Sequence, residues 1–166
     1  MHPFDSWSLS EEQLLRLGRD AIWLERYSDA CEALSEYCDR LRRYERTIPP
    51  AILAYYGLSV GQSRDAQEGL RICSEALSQD RRNPNIYLCL ARLYILADAR
   101  KNALSLIAQG LRVSRGHRGL TALRKEMGVR QSVPIPFLPR RNAVNVRIGK
   151  AIRKIKGKGG SKTALA

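Results

Sequence analysis

The chain has 166 residues, 29 basic and 16 acidic, and a formal net charge of +13. A hydrophobic content of 44% suits one domain with a packed core and excludes disorder throughout. No stretch approaches the roughly 18 apolar residues of a membrane span, and MHPFDSWSLSEE lacks the basic and apolar regions of a signal peptide, so a cytoplasmic location is expected.

The charge is unevenly placed. Residues 1–83 carry 11 bases and 14 acids, whereas residues 84–166 carry 18 bases and 2 acids. Such asymmetry points to a basic appendage that meets an anionic partner, or to a solubilising tail. Cys31, Cys38, Cys73 and Cys89 have no C-x-x-C spacing, and the histidines are His2 and His117 alone, so neither a metal site nor a cofactor is expected. Each cysteine falls in a helical apolar pattern, where a free thiol acts as a small hydrophobe.

In chain order, residues 1–10 read as a short arm. Ser10 with Gln13 forms a capping box that opens the first helix. Leu14, Leu17-Gly18 and Ala21 share one face of it, and Ala30, Leu34 and Tyr37 share a face of the next. Leu53, Tyr56-Gly57 and Val60 repeat the pattern and lead to Gly69, Cys73 and Ala76. Tyr87, Leu90-Ala91 and Tyr94 repeat it again and lead to Ala103, Ile107 and Gly110. The register is 34 residues from Gly57 to Ala91 and 39 from Gly18 to Gly57, with five extra residues placed around Tyr44–Pro49. Pro50 and Pro84 sit at first-turn positions, the second behind Asn83 as a cap. Arg118–Met127 reads as one further helix, closed by Gly128.

This pattern resembles the tetratricopeptide repeat, a helix-turn-helix unit of about 34 residues. The resemblance implies an all-α, right-handed solenoid of three repeats over residues 11–131, with a capping helix at its end. Residues 132–141, with three prolines, are expected to be extended. Residues 142–166 read as a basic amphipathic helix and a flexible tail.

No catalytic constellation is visible. His117 lacks a carboxylate partner in sequence and reads as an exposed turn residue. Glu32 and Glu36 read as a solvated acidic face. The resemblance implies a binding groove instead, lined by Leu15, Arg19, Ile22 and Trp23 from the first repeat. The second repeat contributes Ala54, Leu58 and Gln62, and the third Leu88, Arg92 and Ile95. The family's carboxylate-clamp positions carry Leu15, Arg19, Tyr55, Asn85 and Cys89, which departs from the clamp residues. The expected function is a non-catalytic scaffold or chaperone-like adaptor that holds a peptide or helix. The alternative uses Arg140, Arg141, Arg147, Lys150, Arg153, Lys154 and Lys156 to contact an acidic protein, nucleic acid or an anionic membrane. Self-docking of that tail is a further option.

Overall fold

A computed structural model describes residues 8–128. The Pro-rich segment 132–141 and the basic segment 142–166 lie outside the described residues. The chain divides into two units at Met127/Gly128, and every helix described below belongs to the first.

The described residues are all-helical: α1 (Glu11–Trp23), α2 (Tyr27–Arg43), α3 (Pro50–Ser63), α4 (Ala66–Gln79), α5 (Pro84–Leu96), α6 (Arg100–Val113) and α7 (Arg118–Glu126). Among these residues there is no strand, and no helix is long and apolar enough to cross a membrane. The sequence marks several helix starts. Ser10 Oγ accepts from Gln13 N–H at 3.2 Å while Gln13 Oε1 accepts from Ser10 N–H at 2.7 Å, which satisfies two donors that a bare helix end leaves open. Asp65 and Asn83 accept from the second residue of α4 and α5, and Pro50 and Pro84 stand at the first positions of α3 and α5.

Three helix ends close with a residue in the left-handed region: Glu25 (φ 56°), Glu45 (φ 52°) and Asp98 (φ 52°). In each, the next N–H reaches back five residues, as in Arg26 N–H to Ala21 O at 2.8 Å, so orphan carbonyls are satisfied. Glycine would hold this conformation without Cβ strain, so the chain carries a small cost at these turns.

The helices pair as α1/α2, α3/α4 and α5/α6. Successive pairs stack, with α3 against both α2 and α5, α4 against α5, and α7 against α6. One apolar cluster runs from Ala21 to Leu93 through α1–α5, and a smaller one joins Tyr87, Ala91, Ile107, Leu120 and Leu123. Small residues set the closeness of the pairs. A Cβ on Gly18 would lie 2.5 Å from Leu34 Cγ, and one on Gly69 would lie 2.5 Å from Gly61 Cα. The α3/α4 crossing is therefore backbone on backbone.

All four cysteines are buried free thiols. Glu36 departs from the solvated-face expectation: its carboxylate takes Arg40 Nε at 2.7 Å with its side chain only 14% exposed. Arg40 also donates to Leu9 O at 2.5 Å, which ties the residues before α1 to α2. The i,i+4 spacing of Glu36 and Arg40 made that pair available, and the long α2 brought it under the chain start.

Candidate functional site

Helices α1, α3 and α5 stand side by side and leave a cleft of about 300 Å³. Of the groove positions read from the register, Arg19, Ile22, Trp23, Leu58, Leu88 and Arg92 line it. Leu58 is only 2% exposed and Ile22 9%, so they form the floor, while Trp23 at 85% stands free on the rim. Leu15 packs half-buried against the core and Ala54 is fully enclosed. Central α3 is covered from several sides, which leaves Ala54 no open face and gives Leu58 mostly to the core. Gln62 is half-buried and is not among the residues of this cleft. Ile95 lines a separate cavity of about 380 Å³ with Leu123 and Met127. The tail positions Arg140, Arg141, Arg147, Lys150, Arg153, Lys154 and Lys156 lie outside the described residues.

The cleft also takes Tyr55, Asn85 and Cys89, three of the clamp-register positions, and Glu25, which the register did not indicate. Glu25 reaches the rim because α1 ends in the left-handed turn described above; a polar residue at that point in sequence gave no signal of it.

The floor of the cleft is uncharged. Burial pushes the Cys89 thiol up to about 12, with Arg92 pulling the other way, so the group stays protonated at neutral pH. Burial raises the Tyr55 phenol too, Cys89 adds to the effect, and Arg19 opposes it. Arg19 and Arg92 have no ion-pair partner among the described residues. Two guanidinium groups against the single carboxylate of Glu25 leave the cleft net positive.

Asn85 is held in place from the last helix. His117 Nδ1 accepts from Leu120 N–H at 3.2 Å and so caps α7. That bond leaves the ring proton on Nε2, which donates to Asn85 Oδ1 at 3.1 Å. With its oxygen engaged, Asn85 keeps its amide N–H₂ as a donor on the cleft lining. This corrects the reading of His117 as an exposed turn residue: it is half-buried and braces the cleft wall. Its partner lies 32 positions away, beyond what local sequence context reveals.

Among the described residues, no group of three or more His, Cys, Asp or Glu side chains could hold a metal ion. In comparison with known proteins, no family model matches the chain and no curated protein matches it.

Proposed function

We propose that the helix pairs are tetratricopeptide repeats in a right-handed solenoid and that the chain is a non-catalytic scaffold gripping an extended peptide in the α1/α3/α5 cleft. The repeat reading is supported by phase. Helices α1, α3, α5 and α7 begin at residues 11, 50, 84 and 118, intervals of 39, 34 and 34. The intervals match a repeat of about 34 residues with one insertion, and α7 then starts where the first helix of a fourth unit would.

One observation carries the binding reading: a freely exposed tryptophan and two arginines with no ion pair among the described residues surround a cleft with an uncharged, apolar floor. Tryptophan and arginine are the side chains that dominate interface energetics when a partner desolvates them. Asn85 adds a pre-oriented donor. The ligand these groups fit is a peptide with an apolar or aromatic anchor beside one or two carboxylates.

Selection from a displayed random-peptide library with the full chain tests this. Enriched peptides are expected to carry an acidic residue near a large apolar one and to change the fluorescence of Trp23, with Trp7 replaced by Phe so that Trp23 reports alone. Arg19→Glu with Arg92→Glu should lose at least about tenfold in affinity, the scale of removing one charge-assisted hydrogen bond. Peptides that bind this variant as well as the parent overturn the reading.

A further inference from the structure

We infer that the turn end of the stack around Arg81, Arg82, Arg115 and Arg118 is a contact surface for single-stranded nucleic acid, separate from the peptide cleft and from the basic tail. Short turns make successive helices antiparallel, so the turns 44–49, 80–83 and 114–117 fall at one end of the stack. The turns 24–26, 64–65 and 97–99 fall at the other. The second and third turns of the first end are tied together through His117 and Asn85 at 3.1 Å, and Tyr87 Oη donates to Arg81 O at 3.0 Å.

The second and third of these turns concentrate positive charge, whereas the first carries Glu45 and its Arg46 pairs with Glu11. Arg81, Arg82, Arg115 and Arg118 are exposed, as is Arg112 in the last turn of α6. Among the described residues none of the five forms an ion pair, whereas the ion pairs that do form lie between Glu11 and Glu75. Asp80, the acid of the second turn, is occupied in accepting Arg82 N–H at 2.8 Å. Arg81 and Arg115 are 34 residues apart, so they occupy the same place in successive turns. With neighbouring helices packed about 8–10 Å apart, the turns before α3, α5 and α7 span about 20 Å, room for several nucleotides.

Two features favour nucleic acid over other polyanions. Tyr44, in the first of the three turns, is 67% exposed, and Arg46 Cζ stands 5.8 Å from its ring centroid. An exposed ring beside a guanidinium, even one that also pairs with Glu11, is a stacking platform for a base, which an acidic peptide does not need. An anionic membrane would call for several apolar side chains to insert, yet Trp23, Leu24, Ile95 and Leu96 stand toward the opposite end, and this end offers only Val113 beside Tyr44. Guanidinium forks match phosphate oxygens in pairs and give affinity without reading sequence.

The test uses the full chain and a labelled oligouridine of about 20 nucleotides, titrated by anisotropy from ~50 to ~200 mM salt. Replacing Arg81, Arg82, Arg115 and Arg118 together by Gln should weaken binding at least about tenfold. The slope of log affinity against log salt should become shallower by about 0.7 for each phosphate that is no longer neutralised. Tyr44→Ala should cost roughly another tenfold toward oligouridine and nothing toward polyglutamate. The same arginine set should show the same loss in a chain whose Lys150, Arg153, Lys154 and Lys156 are already Gln. Circular dichroism and Tm confirm that each variant is folded, and Tyr44, Arg81, Arg82, Arg115 and Arg118 are all exposed outside the core. Oligouridine binding that is absent in the parent, or unchanged in the folded arginine variant, overturns the inference. So does polyglutamate or a phosphatidylserine vesicle that binds the parent more tightly than oligouridine. None of these outcomes bears on the peptide cleft.

Discussion

Between α3 and α4 the backbones meet directly, because Gly57, Gly61 and Gly69 leave nothing between them. Between α6 and α7 the approach is looser: Gly110 receives the side chains of Leu120 and Tyr87, and α7 is only nine residues long. The middle pair belongs to the large cluster and the last helix to the small one. Charge follows the same division, with ion pairs on α1, α2 and α4 and bare arginines around α7. The centre is committed to packing, and Arg71 on its surface is paired with Glu68 and Glu75. The last described helix is held by two polar ties, His117 to Asn85 and Arg100 to Met127 O, and among the described residues its flanking Arg112, Arg115 and Arg118 form no ion pair.

The contrast is most sharply tested where backbones touch. Gly69→Ala places a Cβ 2.6 Å from Gly57 O as well as against Gly61, and backbone cannot rotate away. A loss of about 3 kcal/mol is expected in urea unfolding, at the upper end for overpacking. Gly116→Ala, with nothing within 4 Å of its Cβ, should change stability by less than about 0.5 kcal/mol. Equal effects at the two sites would abolish the distinction.

Alkali should loosen the centre next. Burial raises the thiols of Cys73, Cys89 and Cys38, to about 12 for Cys89 and about 11 for Cys38. Unfolded thiols ionise near pH ~8.5, so above that pH the unfolded chain binds fewer protons than the folded one. Stability is therefore flat below pH ~8.5 and falls as pH rises toward the folded values. Tm measured from neutral to about pH 10 should drop by several degrees, and Cys73→Ala should flatten the slope. A Tm that rises over this range would contradict the sign.

At the other end, His117→Ala removes both the α7 cap and the brace on Asn85. A loss of about 1–1.5 kcal/mol is expected, with hydrogen exchange accelerating in α7 before α3 and α4. His117→Asn keeps a capping acceptor and should recover part of it. The smaller effect at these turns is a gain: Asp98→Gly relieves a left-handed residue and should add about 0.5–1 kcal/mol.

Much of the local structure was readable in the sequence because helix starts and close approaches depend on residue type. Ser10 with Gln13, Asn83, Pro50 and Pro84 sit where the starts are found, and Gly18, Gly57, Gly69 and Gly110 sit where helices come closest. Gly61 was readable too, four residues after Gly57, but the register placed weight on Val60 instead. The cleft was less legible because depth depends on neighbours in space. Ala54 and Leu58 share the period of the groove face, yet α3 lies between α1 and α5 and its face is largely consumed. Trp23 and Ile95 occupy the ends of α1 and α5 and open into different cavities. Glu25 and His117 act through a turn geometry and a partner 32 residues distant, neither of which leaves a periodic trace.

The phase of α7 has a practical consequence for building with this fold. Because it starts 34 residues after α5, as α5 does after α3, residues 84–117 form a length of chain that begins and ends in the same phase. A second copy of that stretch, inserted before Arg118, is expected to meet α6 on one side and α7 on the other through contacts of the kind already present. The length of the stack can then be changed from within, without redesigning the helices before it.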